Sequence, residues 1–134
     1  MTEGGCSANR DERLSARERL RQRGDYQACY RHGRRRNGAL VSLYYRPNDL
    51  GYPRLGITVS RKVGGSVTRH RIKRRIKEIY RRWSERRSLP AFDLVVHVRP
   101  GAAGASFEDW RRELTAMLGR LVAREHSGSA PASR

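Results

Sequence analysis

The chain is poor in the residues that build covalent and metal chemistry. Among 134 residues there are two cysteines, Cys6 and Cys29. Neither a disulfide framework nor a zinc-ligand spacing can be made from them, so both are expected to be reduced and incidental. The four histidines, His32, His70, His97 and His126, stand in separate stretches, and no His or Cys pair has metal-ligand spacing. Acidic residues number thirteen. None form the paired carboxylates that metal-assisted phosphodiester cleavage requires, so an autonomous catalytic site and a protein-bound metal are both unexpected. Long apolar runs are missing too. Nothing approaches the roughly 18 residues needed to span a bilayer, and no apolar block follows a charged N-terminus, so no membrane association and a cytoplasmic location are expected.

What the chain has is positive charge. Thirty Lys and Arg against thirteen Asp and Glu leave a net +17 and a pI near 11.4, a balance suited to a state neutralised by a polyanion. Only Lys62, Lys73 and Lys77 are lysine. The rest are arginine, whose planar fork grips phosphate with two donors and stacks on bases. Between Arg61 and Arg87 twelve basic residues face two glutamates, Glu78 and Glu85. A solvated helix face normally mixes signs, so this one is expected to contact phosphate.

The length suits one domain. Residues 1–18 mix small and charged residues without an apolar period and read as a mobile tail, residues 19–125 as the domain, and 126–134 as a disordered tail. A first helix carries Tyr26 and Tyr30 four apart on one face, with Asp25 as a candidate cap and Gly33 at its end. Arg34, Arg35 and Arg36 follow as a short edge strand. Residues 39–45 (ALVSLYY) form a strand with Val41, Leu43 and Tyr45 facing one way and Ser42 and Tyr44 the other. After the turn residues 46–52, residues 54–60 form another strand, expected to pair with it as a hairpin. The next helix has Ile72, Ile76, Ile79 and Trp83 as an apolar stripe beside a basic flank. Residues 92–98 (FDLVVHV) read as a strand buried in a sheet interior. A last helix, with Ser106 and Asp109 as a capping box, turns Trp110, Leu114, Met117, Leu118, Leu121 and Val122 inward.

The stretch VSRKVGGSVTRHRIKRRIKE, residues 59–78, resembles the signature of the bacterial ribonuclease P protein component. Arg61, Lys62, Gly64, Val67, Arg69, Arg71, Lys73, Arg74 and Glu78 stand at matching places, and the likeness extends over about residues 19–121. His70 departs from the usual Asn, Arg61 stands for Lys and Lys77 for Arg, and Tyr26 and Tyr30 stand where the family often has Phe. The resemblance implies an α+β fold: a single-domain α/β sandwich ordered α-β-β-β-α-β-α, like domain 2 of ribosomal protein S5, with a left-handed β-α-β crossover. General topology would favour a right-handed one.

The resemblance further implies a non-catalytic protein subunit that works with a catalytic ribonuclease P RNA and its Mg²⁺ to remove the 5′ leader of precursor tRNA, one monomer per RNA. Mapped by that resemblance, Arg61, Lys62, Arg69, His70, Arg71, Lys73, Arg74 and Lys77 contact the RNA subunit. Tyr26, Tyr30 and either Tyr44 or Leu43 line a cleft for the single-stranded leader, with Arg34, Arg35, Arg36 and Arg46 as a phosphate rim. A ribosomal or general RNA-binding protein of the same fold, which would cosediment with ribosomal subunits, and a stand-alone nuclease or DNA-binding protein are the alternative readings.

Overall fold

The computed structural model describes residues 16–127. Helix α1 (Arg23–His32) leads into strands β1 (Arg34–Asn37), β2 (Val41–Pro47) and β3 (Arg54–Val59). Helix α2 (Ser66–Arg82), strand β4 (Phe92–Val98) and helix α3 (Phe107–Ser127) follow. This is the expected α-β-β-β-α-β-α order around one mixed sheet.

The strands lie in the order β1-β2-β4-β3. Strand β4 is antiparallel to β2 and parallel to β3, so the expected β2–β3 hairpin does not form. The reason lies in β4 itself: Leu94, Val95, Val96 and Val98 are all at most 1% exposed. A strand buried on both faces cannot leave a row of peptide groups unpaired. It takes the centre, and β3 reaches it through α2 as a β-α-β unit.

On one face, α2 and α3 bury Ile72, Ile76, Ile79, Trp110, Leu114 and Leu118 against Val41, Leu43, Leu94 and Val96. The α3 stripe is the expected one, and its capping box closes in both directions: Asp109 N–H donates to Ser106 Oγ (3.1 Å) and Ser106 N–H to Asp109 Oδ2 (3.2 Å). In α2, Tyr80 joins the buried isoleucines while Trp83 is only half-buried. On the other face, α1 sets Cys29 and its neighbour Leu20 on Val95, with Tyr26 and Tyr44 against them.

Local details of α1 differ from expectation. The helix begins at Arg23 with Gln22 as its cap residue, and Asp25 lies in the first turn, where its carboxylate meets Arg54 at 3.4 Å. Gly33 ends the helix in extended geometry, φ −84° and ψ 173°, not the left-handed form. Glycine is required by crowding instead, since a Cβ there would stand 2.5 Å from the Cys29 carbonyl oxygen and 2.8 Å from that of Tyr45. Residues 16–18 form a 3-10 turn, and Arg19 bridges Leu55 on the free edge of β3, with Leu20 N–H donating to Leu55 O at 2.8 Å. The rest of the N-terminal segment, with Cys6, and residues 128–134 lie outside the described residues; α3 itself passes the expected boundary at 126.

Candidate nucleic-acid interface

Strand alternation puts Arg35, Tyr44, Val95 and Gly56 in one row across the α1 face, and Asn37, Ser42, His97 and Thr58 in the next. Helix α1 crosses these rows. Tyr26 lies over Gly56, so closely that a Cβ at Gly56 would fall 2.6 Å from the Tyr26 hydroxyl oxygen. One helical turn on, Tyr30 reaches Tyr44 with ring centroids 4.6 Å apart at 69°, an edge-to-face pair. His97 completes the group, its ring 5.9 Å from that of Tyr30 and 6.3 Å from that of Tyr44.

Polar contacts fix these rings. The Tyr30 hydroxyl donates to Thr58 Oγ1 (3.0 Å) and lies 3.2 Å from His97 Nδ1. Burial lowers the His97 pKa from its ordinary 6.5, which favours the neutral imidazole. Arg35 sets its guanidinium 5.9 Å from the Tyr44 ring centroid and donates to the Tyr44 hydroxyl at 3.4 Å. Tyr30 is still 36% exposed. The result is a partly open aromatic surface with a cation at its border, and base stacking on such a surface tolerates any sequence.

The choice between Tyr44 and Leu43 is thereby decided. Leu43 is 1% exposed in the core beneath α2 and α3, and as adjacent strand residues the two must point to opposite faces. Leu43 therefore cannot line a cleft on the α1 face. Tyr26 is a different kind of neighbour to Tyr30. Its hydroxyl donates to Leu20 O at 3.1 Å, and its ring borders a separate recess of about 240 Å³ with Leu20, Ile57, Lys73 and Lys77.

The basic residues of α2 divide into two flanks. Lys73 and Lys77 turn toward the Tyr26 recess; burial, then the charges of Arg19 and Lys73, lowers the pKa of Lys77. His70, Arg71 and Arg74 gather on the other side around Ser66 and Val67, a valine left 72% exposed. Arg61 and Lys62 are exposed in the turn before the helix. Arg69 is half-buried and folds back, its Nε donating to Gly64 O at 3.1 Å, so it holds the Gly64–Gly65 turn. Toward the C-terminus, Glu78 pairs with Arg81 (2.6 Å) and Arg82 (2.7 Å), which offsets one of their two positive charges.

The arginine run of β1 is also divided. Arg35 faces the aromatic group, whereas Arg34 and Arg36 pair with Tyr45 and Leu43 and so face the opposite side. Arg46 is half-buried on the α1 face, opposite Asp93. His97 was not among the expected site residues. Its only sequence signal is that it shares strand parity with Val95, which becomes informative once β4 is known to lie beside β2.

Carboxylates and thiols on this face are committed to structure. Asp93, 2% exposed, accepts from Arg54 Nε (2.9 Å) and NH2 (2.8 Å) and from Asn48 Nδ2 (2.9 Å). The Cys29 thiol is buried against the Asp93 carbonyl, and burial together with the Asp93 charge pushes its pKa up to about 11, so it stays an inert thiol. Among the described residues no three His, Cys, Asp or Glu side chains gather as metal ligands would, and no helix is long and apolar enough to cross a membrane. Guanidinium and ammonium groups repel a divalent cation and suit its counter-anion, phosphate.

Comparison with known proteins agrees with this chemistry. The family model described as Ribonuclease P matches residues 14–122. The ribonuclease P protein component of Syntrophobacter fumaroxidans is 41% identical over 106 residues, covering 79% of this chain and 89% of that protein. That of Acidothermus cellulolyticus is 38% identical over 117 residues, covering 85% and 96%. Among solved structures, the RNase P protein of Staphylococcus aureus superposes with a TM-score of 0.71 at 28% identity, covering 77% of this chain and 94% of that one. That of Thermotoga maritima gives 0.69 at 33% identity, covering 77% and 96%. With its matched span, its strand order and its basic helix all in agreement, the chain belongs to the ribonuclease P protein family.

Proposed function

We propose that the chain is the RNA-binding protein subunit of a ribonuclease P, which assists a catalytic RNA in the endonucleolytic removal of 5′ leaders from precursor tRNA. The observation that carries this is the pairing of two unlike surfaces: an exposed basic half-helix, and on the other side of the sheet a partly open Tyr30–Tyr44–His97 group bordered by Arg35. The first suits a folded RNA held by its phosphates. Arg61, Lys62, His70, Arg71 and Arg74 supply such contacts, which set affinity and register without reading sequence. The second suits a single strand. Each base stacked on an aromatic ring contributes ~1–3 kcal/mol whatever its identity, as a subunit meeting many leader sequences requires.

Lys73 and Lys77, beside Tyr26, extend the positive surface from α2 around the β3 edge, so that a substrate bound at both surfaces is attracted along the path between them. Chemistry belongs to the RNA and its Mg²⁺. Among the described residues none is an activated nucleophile, and the protein's work is to bind, orient and offset phosphate charge as one copy per RNA. The reading is tested by mixing the protein with a bacterial ribonuclease P RNA and a precursor tRNA at low Mg²⁺, with RNA-only and protein-only controls. Stimulated 5′ cleavage in the mixture alone is the expected result, and cleavage by the protein alone, or none in the mixture, refutes it.

A further inference from the structure

The side of β1 turned away from the aromatic group carries a second basic surface. Arg34 and Arg36 there meet Arg120 of α3 across a groove of about 530 Å³ that is also lined by Tyr45, Met117 and, from the same edge strand, Arg35 and Asn37. Among the described residues no carboxylate lines it. The Nε of Arg36 is buried and lacks a hydrogen-bond partner within the described structure, so no protein acceptor at that atom competes with a phosphate for its guanidinium. The groove is held in shape from beneath. Glu113 of α3 accepts the backbone N–H groups of Ala39 (3.2 Å), Leu40 (2.8 Å) and Val41 (3.0 Å), which ties the β1–β2 turn to the helix that bears Arg120.

The place of the groove limits its ligand. Strand β1 is the edge of the sheet, so a single strand's width separates Arg35, beside Tyr44, from Arg34 and Arg36. A polyanion leaving the aromatic group past Arg35 meets the groove by turning round that edge. A flexible single strand makes this turn; a duplex, whose DNA form stays stiff over about 50 nm, does not.

We propose that the groove between β1 and α3, with Arg36 and Arg120 as its phosphate ligands, binds the 5′-distal part of a single-stranded RNA leader whose proximal part lies on Tyr30, Tyr44 and His97. This rests on the leader reading above and adds to it a second subsite on the opposite face of the sheet.

The test uses the assembled protein–RNA enzyme and two precursor tRNAs, one with a leader that ends at the aromatic group and one extended 5′ by several nucleotides. With the long leader, the Arg36→Ala, Arg120→Ala double variant should bind more weakly, and its log–log salt slope should fall by about 0.7 per lost contact, about 1.4 in all. With the short leader it should match the wild type. Equal losses at both lengths would assign these arginines to the RNA subunit or the tRNA body, and no loss at either length would leave the groove without a role in binding; each result overturns the proposal. Arg120 is exposed on a helix, so Arg120→Glu alone carries the same test should Arg36→Ala disturb the edge strand. Arg112→Ala, at another exposed site on α3, controls for the loss of charge as such. Tyr44→Ala, measured in parallel on leader-bearing precursor and mature tRNA, separates the two readings: if its loss is also equal for both substrates, the leader assignment fails, and if its loss alone is confined to leader-bearing substrate, only the distal groove fails.

Discussion

Replacing Tyr44 by alanine removes the ring that touches every other member of the aromatic group: Tyr30 at 4.6 Å, His97 at 6.3 Å and the Arg35 guanidinium at 5.9 Å. If one leader base stacks there, the loss is ~1–3 kcal/mol, which corresponds to roughly 5- to 150-fold weaker binding of leader-bearing precursor. Tyr44→Phe keeps the ring and gives up only the long, exposed bond from Arg35 at 3.4 Å, so its affinity should stay within about twofold of the wild type. Because Tyr44 also packs on the Val95 and Cys29 cluster, the alanine variant will lose some stability. The readout is therefore a difference: dissociation constants of the assembled enzyme for precursor and for mature tRNA, with melting curves of each variant. A reduced folded fraction weakens both substrates alike, whereas a lost stacking site weakens the precursor alone. Equal losses for the two substrates, or a phenylalanine variant as weak as alanine, would refute the stacking argument.

Three further outcomes follow from the same geometry. Arg71→Ala combined with Arg74→Ala should lower the salt slope of RNA-subunit binding by about 0.7 to 0.9 per contact, and a slope unchanged within error in a salt titration would move the RNA-subunit contact off this flank. Burial depresses the His97 pKa, so the unfolded chain takes up the proton first; this contribution to stability is intact above the ordinary value of 6.5 and is lost as pH falls below it. His97→Gln should flatten that part of the wild-type profile in thermal melts from about pH 7 down to about pH 5, and parallel profiles would show the histidine is not felt. Glu113→Ala strands the backbone donors of Leu40 and Val41 and should cost about 2–3 kcal/mol in denaturant unfolding, while a loss under about 0.5 kcal/mol would mean that water replaces the carboxylate.

Much of this protein is set by local pattern. The spacing of Ile72, Ile76 and Ile79 defines the buried side of α2, Ser106 and Asp109 mark the start of α3, and the run from Leu94 to Val98 marks a central strand, because helix and strand periodicities act on neighbours in sequence. The motif from Val59 to Glu78 carried the family, and composition carried the affinity for polyanions. Strand alternation, too, limited the proposed leader surface to one of two adjacent residues, Leu43 or Tyr44.

Pairing between distant segments lay beyond that reach. Only the tertiary structure places β4 between β2 and β3, and that insertion brings His97 beside Tyr44 and Tyr30 and turns an apparent hairpin into a β-α-β unit. Local alternation already divides the Arg34–Arg36 run between two faces and Lys73 from Arg71 and Arg74, and the tertiary structure decides what each side then meets: Tyr44 for Arg35, Arg120 for Arg36 and the Tyr26 recess for Lys73. The physical reason is the same in each case. Local sequence determines which direction a side chain takes from its own strand or helix, but its neighbours there depend on which other segment must bury its peptide groups and apolar surface against the same element.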